Sequence, residues 1–113
     1  MKKIILIAFS ICALYSCTAP KLYSWSNYET TSYNYLKASN EKTSADLVKS
    51  YQEIIKKQEG TRGVVPPGIY ADYGFLLLQV NKTAEGKEML LKEIALYPES
   101  KVFIDRILKK LEK

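Results

Sequence analysis

The chain has 113 residues, a formal net charge of +5, two cysteines and no histidine. Its length suits one small domain, and without histidine it lacks the commonest general base and the commonest zinc ligand. The basic residues are spread along the chain, so they read as solvated helix faces, and nucleic acid is not expected as a partner.

In chain order, "MKK" is a positive n-region and "IILIAFSICALYS" an apolar h-region. The run has the length of a secretory h-region and is too short to span a bilayer comfortably. It ends Leu14-Tyr15-Ser16-Cys17. This resembles the bacterial lipobox, with Tyr15 bulkier than the residue usual there. The resemblance implies a lipoprotein signal peptide over residues 1–16 and a diacylglyceryl group on the Cys17 thiol. Cys17 then becomes the first residue of the mature chain, and residues 17–27 form its lipidated N-terminus and a short tether. Thr18 after the cysteine, by resemblance to lipoproteins of Gram-negative bacteria, implies outer-membrane localisation; the periplasmic face is the side expected for the domain. Cys12 would leave with the signal peptide. The mature chain would then hold no free thiol, disulfide or thiolate metal site, and no cofactor is expected.

Residues 28–113 read as an all-α domain of about five helices. "YETTSYNYLKAS" is a weak first helix with Tyr28, Tyr35 and Leu36 on its inner side. Thr43 or Ser44 is expected to cap the second helix, which runs to about Glu59. Its stripe is Leu47, Val48, Tyr51, Ile54 and Ile55. Lys49–Glu53 and Glu53–Lys57 have the spacing of stabilising i,i+4 pairs. Gly60 and Gly63 bracket a loop in which Arg62 is the charge available to a partner. "VPPG" opens the third helix, with Pro67 expected in its first turn, and "IYADYGFLLLQV" suits a buried helix. Asn81 closes it and Thr83 is expected to cap the fourth, inward through Leu90, Ile94 and Tyr97. "PES" breaks the chain and Ser100 is expected to cap the last helix. That helix carries Phe103, Ile107 and Leu111 as one stripe, with Ile104 and Leu108 beside it.

The stretch from Pro67 to Ser100 has the tetratricopeptide period, 34 residues. Tyr70 takes the Trp position of that repeat and is followed by Tyr73-Gly74. Gly86 takes the small position of the second helix, Leu90 the Phe position and Pro98 the closing Pro. Glu93 departs from the pattern, which prefers a small residue. The fold expected is therefore a set of tetratricopeptide-like antiparallel hairpins with a C-terminal capping helix.

The blocks "YSWSNYE", "VPPGIYADYGFLLL" and "YPESKVFIDRILKKL" resemble a small uncharacterised family of bacterial lipoproteins. That resemblance implies the same fold and an outer-membrane lipoprotein. Members are often encoded beside a lipoprotein similar to the curli secretion channel, which implies work in a secretion or envelope-assembly complex.

The functional expectation is a non-catalytic scaffold or adaptor, held to the membrane by lipid on Cys17 and binding an envelope protein or a second copy of itself. The alternative is a structural or regulatory lipoprotein that binds peptidoglycan or a cell-wall synthase. A hydrolase is disfavoured, because no histidine is present and Asp46, Asp72 and Asp105 fall on different predicted helices. The candidate contact residues lie on the first helices of the two hairpins: Tyr28, Tyr33, Tyr35 and Asp72. The aromatic opening, with Tyr23 and Trp25, reads either as a docking surface or headgroup belt or as a cover packed on the first hairpin.

Overall fold

The computed structural model of the chain describes residues 1–14 and 18–113; Cys17 lies outside the described residues. The apolar N-terminal stretch forms helix α1 (Lys2–Leu14). Among the described residues, no helix is long and apolar enough to cross a membrane. The expected all-α domain follows as α2 (Tyr28–Lys37), α3 (Glu41–Lys56), α4 (Ile69–Gln79), α5 (Thr83–Leu96), a 3-10 turn over Pro98–Ser100, and α6 (Lys101–Leu111). Helix α2 packs on α3 and α4 on α5 as two hairpins. Helices α3 and α4 join the hairpins, and α6 closes on α5.

The core forms where the stripe of α3 meets α4. Leu47, Tyr51 and Ile54 lie against Ile69, Tyr73, Leu76 and Leu77, with Val65 of the connecting loop among them. Val48 and Ile55 pack at its edge, so the whole predicted stripe of α3 faces inward. Each such side chain fully removed from water contributes about 1.5–3 kcal/mol. In α2, Tyr28 and Tyr35 pack on this core as expected, but Leu36 is 82% exposed. Thr31 is buried in its stead, with its hydroxyl donating to the Tyr28 carbonyl at 3.2 Å. That local bond satisfies its polar group and permits the burial. In α6 the inward residue is Ile104, fully buried, while Phe103 of the predicted stripe is 63% exposed.

Helix ends differ from expectation for identifiable reasons. The cap of α3 is Asn40. Its side chain accepts from the Thr43 N–H at 3.0 Å, and the Thr43 hydroxyl accepts from the Asn40 N–H at 3.0 Å. Thr43 is thus the reciprocal partner in the box, one turn inside the helix. Helix α3 stops at Lys56, not Glu59, because the Gln58 side-chain amide takes the Ile54 carbonyl that continuing backbone would have used. Thr83 begins α5, with Lys82 before it as N-cap. Ser100 is αR (φ −73°, ψ −13°) and runs from the 3-10 turn straight into α6. A capping side chain needs an extended residue, so Ser100 makes no cap bond. Neither predicted Glu53 pair carries α3: Glu53 accepts from the Ser26 hydroxyl at 3.4 Å, and Lys57 pairs with Glu59.

The α4–α5 turn is built as the sequence indicates. Asn81 takes φ +63°. The Lys82 N–H reaches back to the Leu77 carbonyl at 2.9 Å, and the Asn81 N–H to that of Leu78 at 3.1 Å. This pair of bonds closes the carbonyl end of α4. Beyond the turn, the two helices touch backbone to backbone at Gly74 and Gly86. A Cβ on Gly74 would stand 2.8 Å from the Gly86 carbonyl oxygen, and one on Gly86 would stand 2.8 Å from that of Gly74.

Candidate functional site

The helix α4 start explains the residue that departs from the repeat pattern. Pro67 lies outside the helix, and Gly68, at φ +92°, is its N-cap. A glycine cap has no side chain with which to bind the first N–H groups. Glu93, reaching over from α5, does so instead. Its Oε1 accepts from the Gly68 N–H at 2.8 Å and its Oε2 from the Ala71 N–H at 3.3 Å. These two N–H groups are the ones a capping box serves within a single helix. The carboxylate is 1% exposed and sits at the positive end of the α4 dipole. No sequence signal marks this contact, because both donors are backbone atoms on another helix.

The candidate contact residues divide. Tyr28 donates to Asp72 Oδ2 at 2.7 Å and Tyr35 donates to Gln79 Oε1 at 3.4 Å, so two α2 tyrosines reach across to positions about two turns apart on α4. Burial first, then the hydrogen bond to Asp72 and its charge, push the Tyr28 phenol up to about 12. Of the four, Tyr33 points its ring to solvent and bears none of these bonds; it is 62% exposed. Phe75, between Asp72 and Gln79 on the same face of α4, is 48% exposed and was not singled out in the sequence. Tyr70 packs at the core edge, Gly74 and Gly86 form the close helix contact, and Pro98 starts the 3-10 turn that follows α5.

The aromatic opening is neither a free tether nor wholly a cover. Residues 21–23 lie along the 60–62 loop. The Lys21 carbonyl accepts from the Thr61 N–H at 3.0 Å and the Leu22 carbonyl from the Arg62 N–H at 3.1 Å. Arg62 is engaged within the chain: its Nη1 donates to the Tyr23 hydroxyl at 3.2 Å, and the guanidinium stands 5.6 Å from that ring centre. Gly60 makes this pairing possible. A Cβ there would overlap the Leu22 carbonyl oxygen and lie 2.5 Å from Tyr23 Cα. Residues 21–23, which precede α2, are therefore bound to the loop between the hairpins.

From this strap an aromatic chain descends into the core. Tyr23 meets Trp25 edge-on at 6.4 Å, and Trp25 meets Tyr28 at 5.9 Å. Tyr28 meets Tyr51 at 5.7 Å, and Tyr51 stacks on Tyr73 at 5.3 Å. Aromatic pairs of this spacing add roughly 0.5–1.5 kcal/mol each beyond the area they bury. At the outer end, Leu22 is 55% and Trp25 42% exposed. They border an open groove of about 990 Å³, with Lys21, Glu29, Ser32 and Gly60 among its other walls.

No curated protein and no solved structure matches the chain. A family profile described as a domain of unknown function, DUF4810, matches residues 22–107, and so takes in the strap from Leu22 on, both hairpins and most of α6. By that match the chain belongs to the DUF4810 family.

Proposed function

We propose that this chain is an exported lipoprotein, anchored at the outer membrane through Cys17, and that its domain is a non-catalytic scaffold for a protein partner in an envelope secretion or assembly complex. The hairpins are read as tetratricopeptide-like, a reading supported by the mutual backbone contact of Gly74 and Gly86 at the small positions of the period. The observation that carries the scaffold reading is the exposure of large apolar side chains on both first helices. Tyr33 and Leu36 project from α2, and Phe75 from α4 between Asp72 and Gln79. An aromatic side chain held on a rigid helix is the kind of group that anchors a protein interface. Two hairpins and a cap are also fewer than the three repeats that such solenoids usually need, which favours completion by another chain.

The test is site-specific photocrosslinking in intact cells, with the probe at Tyr33, Phe75, Lys49, Lys56 or Lys92, in the parent chain and in Cys17→Ser. The expected result is a crosslinked envelope protein from Tyr33 and Phe75 that is lost in Cys17→Ser. Crosslinks confined to Lys49, Lys56 and Lys92 would overturn the first-helix assignment. Crosslinks unaffected by Cys17→Ser would overturn the anchor.

A further inference from the structure

Away from the first-helix face, the Lys21–Trp25 strap presents exposed apolar side chains of its own. If Cys17 carries lipid, as proposed above, four residue steps separate it from Lys21, a reach of about 14 Å at full extension. Lys21 is not free to drift from the domain, because its carbonyl and that of Leu22 are paired to Thr61 and Arg62. The lipid attachment thus brings one particular edge of the folded unit next to the bilayer.

The side chains on that edge match what a bilayer surface accepts. Leu22 and Trp25 are large, apolar and about half exposed, on a segment fixed by backbone bonds. Lys21, Lys56, Lys57 and Arg62 stand near Glu29, Glu53 and Glu59 around the groove and its neighbour, so both signs of charge are present. An edge with one or two apolar side chains set among mixed charges fits a phospholipid headgroup layer, in which phosphate and amine alternate and indole rings favour the headgroup level. We infer that the Lys21–Trp25 strap is a second, non-covalent membrane contact, with Leu22 and Trp25 entering the headgroup layer and fixing how the domain is oriented on the membrane. The inference rests on the lipoprotein reading and adds an orientation to it. The strap would lie against the lipid, leaving the first helices to meet a protein.

Trp25 is the chain's single tryptophan and reports directly on this contact. The protein would be purified from membranes of expressing cells, checked for acyl chains by mass spectrometry, and reconstituted into phosphatidylethanolamine–phosphatidylglycerol vesicles with or without brominated acyl chains. The expected result is an acylated chain whose Trp25 emission is blue-shifted and loses about half its intensity in the brominated vesicles. A double variant, Trp25→Phe with Leu36→Trp, moves the reporter from the strap to the far end of α2, roughly 12 Å beyond that helix's first residue, and should lose far less. An acylated chain with Trp25 unquenched would overturn the strap contact and leave the anchor standing. Equal quenching at positions 25 and 36 would overturn the assignment to this edge. A chain without acyl groups would overturn the lipoprotein reading and this contact together.

Discussion

Tyr28 links three parts of the molecule through one ring. Its ring meets both Trp25 and Tyr51 in tilted contacts, while its hydroxyl donates to Asp72 of α4. Burial first, and then the hydrogen bond to Asp72 and its negative charge, oppose ionisation of that phenol and hold its pKa up at about 12. An unfolded tyrosine ionises near 10. A folded-state pKa above the unfolded one stabilises the fold fully below pH 10, and that stabilisation is lost as pH rises from about 10 to about 12. Burial pushes the Tyr51 phenol up as well, in the same direction. Urea unfolding should therefore show stability falling steeply above about pH 10. Tyr28→Phe should cost about 1 kcal/mol near neutrality through the lost hydrogen bond, with the gap to the parent chain narrowing as pH rises. A gap that stayed constant from neutrality to about pH 12 would show that the Tyr28 phenol makes no pH-linked contribution.

At the scale of elements, the existence and inner faces of most helices were legible because their periodicity comes from side chains. The stripe Leu47, Val48, Tyr51, Ile54 and Ile55 appears in the sequence as it appears in the core. The Gly74–Gly86 contact was legible for a related reason: the absence of a side chain is itself a signal when it falls at the small positions of a known period. Helix α2 was harder to read, since six of its ten residues are Tyr, Thr or Ser, which suit either face. The cap of α4 was not legible at all. Sequence rules look for a capping residue at the helix start, and here it comes from Glu93, with donors 25 and 22 residues away. Removing that carboxylate leaves two N–H groups in a buried place without an acceptor. Glu93→Ala should cost about 2–4 kcal/mol, since bonds to a charged acceptor are stronger than neutral ones. Glu88→Ala is the control, because Glu88 is an exposed partner of Lys92 on the same helix, and such pairs contribute about 0–1 kcal/mol. Chemical denaturation of the two variants compares them directly; equal midpoints would refute the capping role of Glu93.

For the whole molecule, the decisive connection is between chain positions that no local rule pairs. Tyr23 and Arg62 are 39 residues apart, and their meeting closes the N-terminal strap over the loop between the hairpins. Glycine is required at position 60 for that closure alone: Gly60 is not among the glycines with positive φ, so a side chain there is opposed by the strap and not by its own backbone. The obstructing atoms are the Leu22 carbonyl and Tyr23 Cα, which are backbone and cannot swing aside as a side chain can. Gly60→Ala should consequently lift the strap and break the pairing of Lys21 and Leu22 with Thr61 and Arg62. The hairpin core lies elsewhere, between α3 and α4, and should remain helical. The expected cost is about 1–3 kcal/mol, the usual range for overpacking. Trp25, freed from its edge contact with Tyr23, should shift its emission to the red while the far-ultraviolet circular dichroism stays near that of the parent chain. Loss of helicity together with the red shift would mean that the strap is part of the core. An unchanged emission and melting temperature would mean that the strap is not seated on Gly60. Only the expected outcome, a lifted strap over an intact core, leaves the domain folded but joined to residue 17 by a longer and looser connection. If Cys17 carries lipid as proposed, that is the variant in which the proposed orienting contact with a membrane should fail while the acyl chains remain attached.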